Sequence, residues 1–188
     1  MELSDIFRIL RQRGWLILVL MALTAAAAFG FSRIQTPVYQ SNLKLLVLPS
    51  RTDFGQAQAA KTLLSSYEQW LRSTYRAQAV INDLQLDMTA GDLLGDVRVA
   101  SDANAFVIDL TVENTDPNLA NDIARSWGNQ LIQWQNANND KLQKEDRITI
   151  EFLDDPQAGL DRPDTKINTA AGAVFGLLLG VALLFLLE

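Results

Sequence analysis

Two long uncharged apolar segments, one near each end, constrain the fold of this chain more than any other feature. The first is GWLILVLMALTAAAAFGF, residues 14–31, and the second covers residues 167–187. An α-helix rises about 1.5 Å per residue, so each segment is long enough to cross the roughly 30 Å hydrocarbon layer of a membrane. The sequence therefore predicts two transmembrane helices, at residues 14–32 and 167–187, with a cytoplasmic N-terminus at 1–13 and a separate domain at 33–166.

The first apolar segment has an alternative interpretation as a cleaved signal peptide, because Ala26, Ala27 and Ala28 resemble a cleavage site. The apolar centre of a signal peptide usually has only about 7–15 residues, which favours the transmembrane helix. With that helix retained, the protein is predicted to be a multi-pass protein of the cytoplasmic (inner) membrane.

The residues before the first apolar segment predict its orientation. Arg8, Arg11 and Arg13 precede it, and basic residues near a span favour the cytoplasmic side, while Trp15 is of the type that marks a membrane boundary. Two spans then return the chain to the side on which it began. We expect both termini in the cytoplasm and the domain between the spans outside it, in the periplasm.

Composition argues against several functions. The chain has a net charge of −6, which argues against nucleic-acid binding and against tight binding of an anionic polymer. It has no cysteine and no histidine, so disulfides, thiolate chemistry and histidine ligands are excluded. Asp154 and Asp155 could bind a divalent cation or act as acid and base, but neighbours on a strand point to opposite sides. The sequence thus predicts no catalytic residue, metal site or cofactor.

Hydrophobic periodicity predicts the fold between the two apolar segments. Short alternating or apolar stretches at 43–49, 105–113 and 147–154 are typical of strands, and Val97 and Val99 begin another. Period-3.6 patterns at 56–84 and from about Thr115 or Asp116 to Glu145 predict two long helices, the second with Pro117 in its first turn, and a short helix is expected at 89–94. The order βαββαβ predicts an α+β, ferredoxin-like sheet with parallel and antiparallel pairings and both helices on one face.

Three tryptophans on predicted helix faces could stack against sugar rings. Trp70, Trp127 and Trp134 share helix faces with Leu and Ile, which indicates a core or a protomer interface before a sugar-binding surface. Trp127 and Trp134, with the long second helix, predict that helix faces contribute to contacts within a homo-oligomer.

Several stretches together resemble one family. They are LSDIFRILRQRGWLI before the first span, TPVYQSNLKLLV after it, VENTDPNLANDIARSW at a helix start, and DPQAGLDRPDTKIN before the second span. In this order they resemble the Wzz-like chain length determinants, the polysaccharide co-polymerases, along the whole chain. One departure is a third proline expected near 164–166, which is absent and leaves the shape of the turn beside the membrane open.

The resemblance implies a non-catalytic membrane scaffold that controls chain length, polymerisation and export of a surface polysaccharide: capsule, exopolysaccharide or O-antigen. The lack of a long helical extension favours the capsule or exopolysaccharide branch. Implied partners are further copies of the chain in a ring, a Wzy-type polymerase, a cytoplasmic tyrosine kinase, an outer export component and the lipid bilayer. The alternative is an activator of a bacterial tyrosine kinase. Activators of this family carry a kinase-contacting tail after the second span, so a sequence that stops at Glu188 is expected either to be truncated or to have a role other than kinase activation.

Two local features are predicted to serve that role. Small residues recur every four positions in both spans, which allows close helix contact within one protomer or between protomers. Pro156 and Pro163 disfavour helix, so segment 155–166 is predicted to be a stiff, non-helical link to the membrane. The candidate packing residues are Ala22, Ala26, Gly30, Gly172, Gly176 and Gly180.

Overall fold

The computed structural model describes residues 3–51 and 54–186, with the side chains of 3–13, 54 and 56 left undescribed. The described helices are α1 (Leu3–Ile34), α2 (Phe54–Leu71), α3 (Thr74–Leu84), α4 (Ala90–Gly95), α5 (Pro117–Asn139) and α6 (Thr165–Leu186). The strands are β1 (Val38–Pro49), β2 (Val97–Asp102), β3 (Val107–Asn114), β4 (Ile148–Phe152) and β5 (Gln157–Arg162). A short 3₁₀ helix, Lys144–Asp146, precedes β4.

The chain divides into two compact units. One comprises Met1–Pro37 with Asp161–Glu188 and contains α1 and α6, which we call the helix pair. The other, Val38–Leu160, contains the sheet and the remaining helices, and we call it the sheet domain. The predicted α+β class, with an apolar helix at each end, is confirmed.

The sheet has the strand order β2-β3-β1-β4, and β5 also pairs with β1. Leu45 of β1 lies opposite Ile108 of β3 on one side and Phe152 of β4 on the other. The β1–β3, β1–β4 and β2–β3 pairings are all antiparallel, so none of these three shows the parallel pairing that was expected beside the antiparallel ones. A split β-α-β unit places another strand between its two parallel strands, and each strand then meets antiparallel neighbours.

One face of the sheet carries the core of the sheet domain. Leu43, Leu45 and Val47 of β1 alternate with more exposed residues, as a half-buried strand requires. Helices α2 and α5 pack on this sheet, and the buried cluster also includes α3. The opposite face is polar, with the Lys44 ammonium 3.8 Å from an Asp109 carboxylate oxygen. The prediction that the helices cover one face agrees with this arrangement.

The first long helix of the sheet domain is interrupted, which the sequence did not predict. Helix α2 ends at Leu71 and α3 begins at Thr74, with Ser73 in an extended conformation between them. The Ser73 hydroxyl donates to the Trp70 carbonyl, 2.8 Å away. A serine hydroxyl that bonds a nearby carbonyl can interrupt a helix in this way. The apolar period continues across the break and therefore does not reveal it.

Helix starts in the sheet domain follow their sequence signals. Asp116 is the N-cap of α5 and accepts from the Asn118 N–H at 2.8 Å, with Pro117 next to it. Thr89 and Asp92 form a capping box on α4, which lies one residue beyond its predicted position. Hydrogen bonds from Thr89 lower the pKa of Asp92.

The end of α5 differs from the prediction. The helix ends at Asn139 and not near Glu145. Asn139 is buried and its amide bonds both backbone groups of Ile148: Nδ2 donates to the carbonyl at 2.7 Å and Oδ1 accepts from the N–H at 3.1 Å. Gln135 donates to the same Oδ1 and accepts from the Tyr67 hydroxyl. Burial raises the pKa of Tyr67 to about 12.

The three tryptophans of the sheet domain have different environments. Trp127 is fully buried, and its indole N–H donates to the Leu71 carbonyl at 3.0 Å, so this residue belongs to the core and is not available for a protomer contact. Trp134 is partly buried and packs on Trp70, with ring centroids 5.2 Å apart. Trp127 and a longer α5 therefore do not support the predicted oligomer contact, while a contact through Trp134 stays a prediction.

Candidate functional site

The contact face of the helix pair is built from small residues of α6. Gly176 and Gly180 are buried against α1, and Gly172 lies on the same row. Gly172 faces Ala28 and Thr24, and Gly180 faces Ile17. As α6 runs forward, its contacts run backward along α1, so the two helices are antiparallel.

The approach at these glycines is too close for any side chain. A Cβ placed on Gly176 would lie 2.7 Å from the Met21 Cα and 2.8 Å from the Leu20 carbonyl oxygen, and it would collide with the Thr24 hydroxyl. The first two neighbours are backbone atoms, which cannot move without moving the helix. The Thr24 hydroxyl bonds the Leu20 carbonyl of its own helix at 2.8 Å, so it does not enter the contact unpaired.

A polar cluster closes the helix pair at one end. Ser32 is 1% exposed, and its hydroxyl donates to Thr165 Oγ1 at 3.3 Å and accepts from Asn168 Nδ2 at 3.1 Å. This cluster was not predicted from the sequence. The signal was present in the spacing of three or four residues between successive contact residues of α1: Ile17, Met21, Thr24, Ala28 and Ser32.

The small-residue stripe of α1 does not meet α6. Ala22 and Ala26 are exposed, and a Cβ on Gly30 would meet no atom within 4 Å. The structure thus brings Gly172, Gly176 and Gly180 against α1 but leaves the α1 stripe on the outer surface of the helix pair. A packing role for either stripe in an assembly stays a prediction.

The predicted membrane-boundary residues are only partly described. The side chains of Arg8, Arg11 and Arg13 lie outside the described ones, although α1 itself begins at Leu3. Trp15 is 62% exposed beside Gly14, where the span-length apolar part of α1 begins. At the other end of that part, the Arg33 guanidinium lies 5.3 Å from the centre of the Phe29 ring.

The proline segment before α6 contains a strand that the sequence did not reveal. Pro156 and Pro163 flank β5, whose sequence QAGLDR lacks the apolar alternation typical of a half-buried strand. Asp164 follows, and its Oδ1 accepts from the N–H groups of Lys166 and Ile167, both at 3.0 Å. Where a third proline was expected, this carboxylate satisfies the free donors at the start of α6. The predicted stiffness of the segment stays a prediction.

The paired carboxylates lie in an open groove of the sheet domain. Asp154 and Asp155 line a volume of about 480 Å³ together with Asn42, Lys44 and Gln157. Both are exposed, and an Asp155 oxygen lies 3.7 Å from an Arg125 nitrogen. Among residues 3–51 and 54–186, no group of three or more acidic side chains could hold a metal ion.

Comparisons with known proteins agree with the sequence resemblance. Residues 1–84 match the family model Wzz, described as chain length determinant protein. The chain is 26% identical to the probable capsular polysaccharide biosynthesis protein YwqC of Bacillus subtilis (strain 168), covering 100% of this chain and 77% of YwqC.

Two further relatives carry the description capsular polysaccharide biosynthesis protein CpsC. The Streptococcus pneumoniae protein is 26% identical over 66% of this chain and 57% of its own length, and the Streptococcus agalactiae protein is 26% identical over 92% of this chain and 77% of its own. The chain thus spans between about half and three quarters of these relatives. These matches confirm the resemblance of the chain to the Wzz chain length determinant family.

Proposed function

We propose that this protein is a non-catalytic membrane scaffold that controls the chain length, polymerisation and export of a surface polysaccharide. The observation that carries the proposal is the Wzz match over residues 1–84, which covers α1, β1, α2 and α3. Relatives described as capsular polysaccharide biosynthesis proteins support the capsule or exopolysaccharide branch. Wzz is a family of chain length determinants, not of enzymes.

The membrane setting rests on the helix pair. Gly14–Ile34 and Thr165–Leu186 are long and apolar enough to cross a bilayer, and they are antiparallel. With Arg8, Arg11 and Arg13, which precede the apolar part of α1, on the cytoplasmic side, both termini lie in the cytoplasm and the sheet domain lies outside it.

Cysteine labelling tests this topology directly, because the chain contains no cysteine of its own. Asn104→Cys lies in an exposed turn of the sheet domain, and Ser4→Cys lies at the start of α1. A membrane-impermeant maleimide should label the first variant in intact spheroplasts and the second only after permeabilisation. The reverse pattern would show that the topology is the opposite of the one proposed. Labelling of both variants in intact spheroplasts would show that the chain does not cross the membrane twice.

We also propose that copies of the chain assemble as a ring, beside a Wzy-type polymerase and an outer export component. Ala22 and Ala26 are exposed and Gly30 is half-buried on the same stripe, which supports a contact between protomers, because small residues let helices approach closely in lipid. Ala26→Cys should give disulfide-linked dimers in membranes. Ala27→Cys, exposed but turned by about 100° on the helix, is the matched control. Equal dimer yields from both variants would argue against this contact.

Deletion of the gene tests the function itself. In the producing strain, deletion should leave polymer synthesis active but broaden or shift the length distribution, or reduce export of the longest chains. Gel analysis of the polymer, with the wild-type gene returned as the control, measures this. Loss of all polymer, or an unchanged distribution, would contradict the scaffold.

The kinase-activator alternative is compatible with the Wzz match but is not favoured by it. It predicts that deletion abolishes tyrosine phosphorylation of a cytoplasmic kinase. Phosphotyrosine blots of the same strains separate the two functions, since the scaffold predicts altered chain length with phosphorylation unchanged.

A further inference from the structure

A groove of the sheet domain remains outside the features described so far. It lies between α3 and α5 and has a volume of about 650 Å³, within the usual range for small-ligand sites. Its wall-forming residues include Arg76, Asp83, Asn129, Gln130, Gln133 and Trp134. All of them belong to the sheet domain, so the groove is complete within one copy of the chain.

The lining of this α3–α5 groove is chemically suited to hydroxyl groups. Asn129, Gln130 and Gln133 each offer both hydrogen-bond donors and an acceptor, and a sugar hydroxyl likewise donates and accepts. Ala79 is the one aliphatic residue of the lining. A protein partner would need an apolar centre that these walls do not provide.

One groove residue has an unused hydrogen-bonding atom. Gln130 Oε1 is buried and is the one such side-chain oxygen or nitrogen without a hydrogen-bond partner in the described part of the chain. Buried polar atoms are nearly always paired, so an exception needs an explanation. A rotation of the Gln130 side chain toward the groove would bring this oxygen within reach of an entering O–H donor, because the oxygen has almost no accessible surface in its present position.

Trp134, the aromatic residue of the groove, packs against two other aromatic rings. The Trp134 ring packs on Trp70 and meets Tyr67 edge to face at 6.1 Å between ring centroids. The Arg76 guanidinium lies 3.8 Å from the centre of the Trp70 ring, and its described contacts are with aromatic rings. An ordered indole beside amides and a guanidinium can contact the apolar face of a sugar ring while the polar groups bond its hydroxyls.

We propose that the α3–α5 groove binds a short saccharide segment of the polymer whose length the protein controls. The proposal rests on the proposed function for the source of the saccharide, and on the groove for its binding. Gln130 and Gln133 bond hydroxyls, Trp134 contacts a ring face, and Arg76 accommodates a carboxylate-bearing sugar where the polymer contains one. Asp83 accepts from the Ser126 hydroxyl at 2.6 Å, which fixes the facing walls of α3 and α5.

The binding test uses the full chain in lipid nanodiscs and isothermal titration with oligosaccharides made by partial hydrolysis of the polymer from the producing strain. Gln130→Leu removes the unpaired oxygen and should not impair folding, since no hydrogen bond within the described chain is lost. We expect the affinity for the oligosaccharide to fall by about fivefold or more, which corresponds to the loss of one hydrogen bond. Trp134→Leu should weaken it further. Gln78→Leu, on α3 outside the groove lining, is the matched control and should bind like wild type.

Three outcomes would overturn the proposal: no saturable binding by the wild-type chain, equal affinity in Gln130→Leu and Gln78→Leu, or a change in oligomer mass caused by Gln130→Leu, which would make the groove a protein interface. The deletion strain keeps this test separate from the proposed function. Altered chain length on deletion with no oligosaccharide binding would refute the groove alone, whereas binding without any effect of deletion would refute the scaffold.

Discussion

The helix pair and the sheet domain bring helices into contact by different means. In the sheet domain, Leu131 and Trp127 of α5 are fully buried against a sheet whose inward side chains are also buried. In the helix pair, the contact is made by glycine backbone against the backbone of α1. Lipid is as apolar as leucine, so burial of apolar side chains does not favour association there, and close approach must do so instead. The same chain therefore uses two packing strategies for two solvents.

Buried polar groups show the same contrast. Asn139 of the sheet domain closes two backbone hydrogen bonds in a water-free core, whereas Ser32 of the helix pair bonds side chains near one end. An unpaired peptide group in a core costs about 1–3 kcal/mol, but measured interhelical hydrogen bonds in membranes average only about 0.6 kcal/mol. Polar contacts thus contribute more to the sheet domain, and shape contributes more to the helix pair.

The largest expected effect is in the sheet domain. Asn139→Leu leaves the Ile148 N–H and carbonyl without their amide partner, at a cost of about 2–5 kcal/mol, and should lower the unfolding temperature of the full chain by roughly 10 °C. Asn136→Leu, exposed on the same helix, is the control. Fluorescence-detected unfolding in nanodiscs measures both. Equal unfolding temperatures for Asn139→Leu and Asn136→Leu would contradict the claim that buried polar contacts stabilise the sheet domain.

The next effect concerns the helix pair. Gly176→Leu forces a side chain into the backbone of α1, and overpacking of this kind costs about 1–3 kcal/mol or more. A Ser32→Cys and Thr165→Cys pair reports the contact, because the two hydroxyls are 3.3 Å apart and no native cysteine competes. The disulfide yield should fall about tenfold in Gly176→Leu and stay unchanged in Gly30→Leu. Similar yields in both would show that the glycine row does not hold the pair.

A smaller effect compares one alanine in each region. A Cβ on Gly128 of α5 would lie 2.6 Å from Leu43 Cδ2 and from Phe152 Cε1, which are side-chain atoms that can shift. A Cβ on Gly172 would lie 2.8 Å from the Thr24 carbonyl oxygen, which cannot. We expect Gly128→Ala to lower stability by no more than about 1 kcal/mol, since helix propensity offsets part of the strain, and Gly172→Ala to reduce the cysteine crosslink more clearly. A silent Gly172→Ala would contradict this ranking.

The smallest effect is a pH dependence confined to the sheet domain. Burial raises the pKa of Tyr67 from 10.0 to about 12, so the unfolded chain loses this proton before the folded chain does. Its contribution is fully present below pH 10 and is lost between pH 10 and 12. Tyr67→Phe should show a shallower decline of stability across that range, measured by unfolding at several pH values. An identical decline in both proteins would mean that Tyr67 ionises freely while folded.

The contrast also explains what the sequence could and could not predict. The sequence predicted both apolar spans, the alternation of β3 and the Asp116 cap, because each of them is a local pattern. The sequence did not predict the break at Ser73, the strand β5 or the end of α5. These features depend on hydrogen bonds to backbone groups, which the hydrophobic period does not show. The two glycine and alanine stripes looked alike in sequence, and only the pairing of α1 with α6 distinguishes them.

The central claim is that packing geometry, and not acid–base chemistry, controls polymer length. Its most direct test is the size distribution of the polysaccharide on a gel from strains carrying Gly176→Leu, the combined Asp154→Asn and Asp155→Asn, or Ala171→Leu, an exposed α6 position that serves as control. The exposed Asp155–Arg125 pair contributes little to stability, so its loss should not disturb the fold. We predict a shifted or broadened distribution for Gly176→Leu and wild-type lengths for the other two. Loss of polymer in the double Asp variant, with Gly176→Leu unchanged, would contradict the scaffold and indicate an enzyme.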